Sequence, residues 1–155
     1  PTPSGRIELY IEGMLDMGLE PLPVYLPPLE SPEGRPELAR KYPLQLLASK
    51  FKLRPGSSYA NQPELRELYV PDVLIHPQDA AARGIKDGDR VAVFNDRGRI
   101  ELRATVRELI RPGVVRVYQG QWPEDGPANA LTSDRLTLYG EQPAYNTSLV
   151  EVRKV

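Results

Sequence analysis

His76 to Val106 reads HPQDAAARGIKDGDRVAVFNDRGRIELRATV, the clearest structural unit of the chain. Pro77 suits a first helical position, and QDAAAR is a strong helix former with an acid in its first turn. Gly84 is a good C′ residue to close that helix. Ile85 then caps the core side. DGD turns the chain into the strand RVAVFN. NDRG predicts a hairpin turn with Gly98 free to take positive φ. RIELRATV returns as the partner strand, its side chains alternating between core and solvent.

The flanking segments extend this pattern. RIELYI (Arg6 to Ile11) alternates and predicts a strand, preceded by the turn residues TPSG. PLPVYLPPLESPEGRP, residues 21–36, is proline-rich and predicts an extended strap, because proline fixes φ and cannot donate to a ladder. YPLQLLA predicts a buried strand, QPELRELY a short helix with Pro63 near its start, and DVLIHP an apolar strand ended by Pro77. VVRVYQG and SLVEVRKV are further strands. Short strands with short helices, no long amphipathic helix and no alternating βαβ units define a mainly β, barrel-like domain.

Composition bounds the function. The chain has 155 residues, 26% charged and 40% hydrophobic, enough for one domain with a real core. A net charge of -1 gives no global field to recruit nucleic acid or an anionic membrane. The absence of cysteine removes disulfides, thiolate ligands and a Cys nucleophile from this chain, and the single His76 argues against a His-based metal site. No apolar run approaches the roughly 20 residues of a membrane span. The chain begins at Pro1, without Met, and is expected to be an excised domain or a processed product.

Against this neutral background, the local charge of KFKLR, Lys50 to Arg54, stands out. RPGSSYAN follows it. Gly56 lets backbone N–H groups converge, Ser57 and Ser58 donate hydroxyls, and Lys50, Lys52 and Arg54 supply charge: the parts of an anion nest, or of a polar surface loop. It lacks the GxxxxGK spacing of a P-loop. GQWPEDGPANALTSD, Gly120 to Asp134, carries the only Trp and a Gly/Pro scaffold. Asn129 has donor and acceptor groups that suit the edge of a heterocycle, or it caps a local turn. His76, at a strand-to-helix junction, reads as structural.

TPSGRIELY, YPLQLLASK, GSSYANQPELREL, the His76–Val106 unit, IRPGVVRVYQGQW, NALTSD and AYNTSLVEVRK follow one another in an order that resembles the C-terminal domain of the dimethyl sulfoxide reductase family of molybdopterin oxidoreductases. The resemblance covers nearly the whole chain and implies a double-psi β-barrel of the aspartate-decarboxylase-like type. It divides the chain into residues 1–40, an N-terminal strand and strap joining a preceding catalytic domain, and residues 41–155, the cofactor-binding barrel. The implied ligand is molybdopterin guanine dinucleotide, in a bis form with molybdenum or tungsten, and any iron–sulfur cluster belongs to an N-terminal part outside this chain.

By the same resemblance, Ser49 and Lys50 match the polar pair after the LL strand. Ser57 and Ser58 match the loop serine, although Gly56 stands where relatives often have His or Asn. Asn61 closes that loop. Gln121 and Trp122 match the stretch approaching the pterin, Asn129 the Asn of an N-x-LT element, and Tyr145 and Asn146 the last cofactor-side turn. No catalytic or metal-ligating residue is expected here. The implied partners are the remaining domains of the same oxidoreductase and electron-transfer subunits, in cytoplasm or periplasm. The competing reading is a non-catalytic double-psi barrel that docks protein or substrate. A cofactor module should gather Ser57, Asn129 and Asn146 around one concave face. A docking module should scatter them and expose a contiguous apolar patch.

Overall fold

The structure is a computed structural model that describes residues 2–22, 24–137 and 140–155; Pro1, and Pro23 of the proline-rich strap, lie outside them. Six strands form a closed barrel: β1 (Leu44–Ser49), β2 (Asp72–Ile75), β3 (Arg90–Phe94), β4 (Arg99–Val106), β5 (Val114–Tyr118) and β6 (Ser148–Lys154). Their order around the barrel is β1-β5-β2-β4-β3-β6. The pairs β1–β5 and β2–β4 are parallel and the other four are antiparallel. Two parallel crossings locked together by the antiparallel β2–β5 pair make this the double-psi β-barrel that the resemblance implies.

The core follows directly from period-two alternation. Leu44, Leu46 and Ala48 of β1 point inward, as do Val115 and Val117 of β5, Val91 and Val93 of β3, Ile100, Leu102 and Ala104 of β4, and Val150 and Val152 of β6. β2 is buried along its whole length, on both faces, with the pattern expected of a short apolar run. Four short α-helices decorate the barrel: α1 (Gly13–Asp16), α2 (Pro36–Lys41), α3 (Pro63–Glu67) and α4 (Pro77–Ala81). In α4 the ring nitrogen Nδ1 of His76 accepts from the Gln78 amide at 3.2 Å, so the only histidine is an N-cap, the structural role read from its position. Ile85 is buried, as its place after Gly84 predicts.

Three local expectations are corrected. RIELYI forms no strand. It has the alternation of one, but its one backbone bond to a neighbouring segment, from the Ile11 amide to the Pro21 carbonyl at 3.0 Å, makes no ladder among the described residues. Gly98 does not take positive φ. Its lack of a side chain serves close packing instead, since a Cβ there would lie 2.6 Å from the Ala130 carbonyl oxygen. The end of the proline segment is helical, as α2. Pro36 at its first turn, Glu37 beside it and Arg40 and Lys41 in the last turn all complement the helix dipole.

Candidate cofactor-binding site

The parallel pairing of β1 and β5 sets Ser49 opposite Tyr118, so two long loops leave the same barrel mouth side by side. The Ser49 carbonyl accepts from the Gln119 amide at 2.9 Å and extends that ladder one step. β6 runs antiparallel to β1, with Ser148 opposite Leu46, which brings its leading turn to this mouth too. The Asn146 side chain completes the edge: its Oδ1 accepts from the Ala48 amide at 3.2 Å.

A cleft of about 440 Å³ opens here, lined by Ala48, Gln119, Asn129, Ser133, Asp134 and Tyr145 among others. Asn129 and Tyr145, which are far apart in sequence, thus share one concave surface, with Asn146 and Ser49 bonded to its wall. The Asn129 side chain is exposed on a 3-10 helix, Ala128–Ala130. Two buried contacts fix that helix. The neighbouring Leu131 carbonyl accepts from Asn95 Nδ2 at 2.8 Å, and Gly98 packs flat on Ala130. Asn95 also donates to the Leu149 carbonyl at 3.1 Å, so one buried amide ties the β3–β4 turn to both neighbouring segments.

The serine loop lies against the adjoining side of the mouth. Gly120 has φ +78°, and a Cβ on it would sit 2.2 Å from the Gly56 carbonyl carbon. Gly120 is therefore required where the loop meets the end of β5, whereas a Cβ on Gly56 would meet open space. Gly56 and Tyr59 both adopt left-handed backbone, with φ +62° and +61°. The loop's own turns use the amides of Ser58, Ala60 and Gln62. The amides of Ser57 and Tyr59 find no protein acceptor among the described residues, and left-handed turns presenting free N–H groups are the geometry of an anion nest. Lys50 and Lys52 are exposed, and the lysines engaged in ion pairs among the described residues are Lys41 and Lys154, which leaves both charges beside the loop available. Ser57, Ser58 and Asn61 are all exposed on it.

Arg54 corrects the expectation that it lends surface charge. It is 2% exposed, its guanidinium lies 4.5 Å over the Tyr69 ring, and it donates to the Gly120 carbonyl at 3.2 Å. It is the floor of the loop. Gln121 is likewise buried, its side-chain amide donating to the Tyr69 hydroxyl. The Tyr69 ring packs edge-on to Phe51, which in turn packs on Tyr118. Burial pushes the Tyr69 hydroxyl up to about 12, with the Gln121 contact opposing. Gln121 thus scaffolds the loop, and Trp122 is exposed beyond it. Gln119, Ser133 and Asp134 line the cleft and were not singled out from sequence. Polar residues adjacent to the GQW and N-x-LT elements were the available signal.

Fold and site together give a closed barrel with polar side chains from several loops gathered at one mouth. Residues 44–149 match the family model described as Molydopterin dinucleotide binding domain, and the chain belongs to that family. Its similarity to dimethyl sulfoxide reductase family proteins runs beyond the matched module. The chain is 36% identical to dimethyl sulfoxide reductase DmsA of Escherichia coli (strain K12), over 99% of its own length and 21% of that protein. It is 40% identical to dimethyl sulfoxide/trimethylamine N-oxide reductase of Cereibacter sphaeroides, over 90% of this chain and 17% of that one. Among solved structures it superposes on acetylene hydratase from Pelobacter acetylenicus with a TM-score of 0.82 and 30% identity, covering 99% of this chain and 24% of that chain. The chain therefore spans about a fifth of the length of these curated relatives.

Proposed function

We propose that this chain binds and orients molybdopterin guanine dinucleotide as one domain of a molybdenum or tungsten oxidoreductase. The observation that carries the reading is the shared mouth: the cleft holding Asn129 and Tyr145 lies beside a loop in which the amides of Ser57 and Tyr59 and the charges of Lys50 and Lys52 have no partner among the described residues. The loop's N–H groups, the hydroxyls of Ser57 and Ser58, and Lys50 and Lys52 suit the diphosphate. Asn129, Gln119 and Asp134 suit the donor and acceptor edges of a fused heterocycle. When bound, the dithiolene-held metal supplies the redox chemistry, and the chain's own residues bind, orient and desolvate the ligand. The relatives' names include sulfoxide and N-oxide reduction and acetylene hydration, so the substrate is set by surfaces outside this module.

Titration of the chain with guanosine diphosphate, followed by backbone amide NMR shifts, tests this. We expect shifts clustered at Ser49–Lys50, Ser57–Asn61, Gln119–Asn129 and Tyr145–Asn146, and smaller ones at the same ligand concentration with adenosine diphosphate. Equal response to both nucleotides would remove the guanine assignment and keep the diphosphate nest. No shifts at millimolar ligand would sink the cofactor reading for this chain and favour the docking module.

A further inference from the structure

Behind the 3-10 helix that carries Asn129, the β3–β4 turn holds a charged network that touches no ligand-facing surface of the cleft. Arg97 enters this network twice. Its backbone amide donates to Asn95 Oδ1 at 2.9 Å, which fixes the Asn95 side chain with Nδ2 toward the Leu131 and Leu149 carbonyls. Its side chain forks. Nη2 pairs with the Glu30 carboxylate, and Nη1 donates to the Leu131 carbonyl at 3.4 Å. The other Glu30 oxygen accepts from the Leu149 amide at 3.4 Å. Glu30, Arg97, Leu131, Asn95 and Leu149 thus close a ring of contacts.

Glu30 is 7% exposed. Withdrawing a carboxylate from water is offset only by a partner held in good geometry, and apolar side chains of similar volume often stabilise a fold as well or better. Stability is therefore a weak reason for this pair, and geometry a stronger one. The helix Ala128–Ala130 is closed by single bonds from the Ala130 amide to the Pro127 carbonyl and from the Leu131 amide to the Ala128 carbonyl, both 3.0 Å. So short a turn has little stiffness of its own. The Asn129 side chain makes no hydrogen bond among the described residues, where its carbonyl accepts from the Thr132 hydroxyl at 3.5 Å. Its position is set by the backbone that carries it, and that backbone is braced at the Leu131 carbonyl.

We infer that Arg97 is the positioning residue for Asn129, and through Asn129 for the heterocyclic edge of the ligand in the cleft. The Glu30 carboxylate fixes the direction of the guanidinium, and the guanidinium holds the Leu131 carbonyl. A planar fork serves two acceptors in different segments at once, which a single ammonium does not. The ligand named here rests on the cofactor reading of the cleft; the bracing of Asn129 by Arg97 does not.

Amide hydrogen exchange on the 155-residue chain, first without ligand and then in a guanosine diphosphate titration, tests the inference. Arg97→Lys keeps a charge for Glu30 and gives up the second acceptor. The Ala130 and Leu131 amides should then exchange about tenfold faster, the scale of one hydrogen bond to a charged group. The Gly34 and Arg35 amides, which bond to Ser31 beside Glu30, should keep their rates. Arg97→Met keeps the stem without the fork and should loosen both places. In Arg97→Ala, millimolar guanidinium should restore slow exchange at Ala130 and Leu131, and methylammonium should not. Nucleotide-induced shifts at Asn129 should shrink in Arg97→Lys while those at Ser57 persist. Amides of β1 and β5 should stay protected in every variant, which separates lost positioning from lost folding. Unchanged exchange at Ala130 and Leu131 in Arg97→Lys and Arg97→Met overturns the inference. So does equal loosening of β1 and β5, which would make Arg97 a general support of the barrel. Absence of nucleotide shifts in the unaltered chain removes the cofactor reading alone, because the exchange rates still decide whether Arg97 holds Asn129.

Discussion

The site depends most on residues that bring no functional group. Gly120 and Gly56 touch backbone to backbone, and this contact, with the buried Arg54, holds down the loop whose Ser57 and Tyr59 amides have no acceptor among the described residues. Gly120→Ala places a methyl inside the van der Waals radius of the Gly56 carbonyl and also imposes left-handed backbone on a residue with a Cβ, which alone costs about 1–2 kcal/mol. The loop must lift. We expect guanosine diphosphate affinity to fall at least tenfold, about 1.4 kcal/mol, in a calorimetric titration. The barrel's thermal midpoint should drop by only a few degrees, since none of its strands is touched. An unchanged affinity would mean that the nest is not used. Sequence reasoning saw Gly56 as freedom for converging amides and overlooked Gly120, because a glycine's neighbour across space leaves no trace in its own local sequence.

Elements, by contrast, were largely legible. Each of the six strands lies where alternation or a short apolar run placed it, because a barrel interior imposes period two on every strand. The failure at Arg6–Ile11 has the same cause viewed from the other side: alternation marks a surface that wants a partner strand, and among the described residues no strand lies beside it. The site was legible in part. Asn129 and Tyr145 meet in the cleft, whereas Arg54 and Gln121 turned out to be scaffold, since charge and amide composition say nothing about which way a side chain points. The element that presents Asn129 is held by the Asn95 amide, by Arg97 Nη1 donating to the same Leu131 carbonyl at 3.4 Å, and by the Gly98–Ala130 contact. Asn95→Ala removes the donor to the Leu131 and Leu149 carbonyls and should cost about 1–3 kcal/mol in a denaturant melt, the usual penalty for stranded buried acceptors. The Ala128–Ala130 turn then loses its shortest tether, so NMR shifts induced by nucleotide at Asn129 should shrink more than those at Ser57. Equal shrinkage at both would mean that Asn95 supports the barrel generally and not the cleft.

At the scale of the molecule, closure is the organising fact. β6 pairs with β1 on one side and β3 on the other, so the last strand in sequence seals the first to the middle. A sealed barrel has no edge to recruit another sheet. It also joins strands distant in sequence, so its stability cannot be assigned to any one hairpin. The same strand serves the mouth: its leading turn carries Tyr145 and Asn146, and near its start the Leu149 amide donates to the buried Glu30 carboxylate. Deleting residues 148–155 therefore tests fold and site at once. Leu149, Val150 and Val152 are fully buried, and each contributes about 1.5–3 kcal/mol of transfer free energy. Their sum reaches the 5–15 kcal/mol that is the whole stability of a typical domain. Two opened ladders add unpaired backbone groups at β1 and β3. We expect the deletion variant to lose the cooperative thermal transition and dispersed amide spectrum, and to aggregate through its new edges. A folded, monomeric deletion variant would mean that β1 and β3 pair directly across the gap. In that case the buried Glu30–Arg97 pair, left without its Leu149 contact, would not be needed for closure of the barrel.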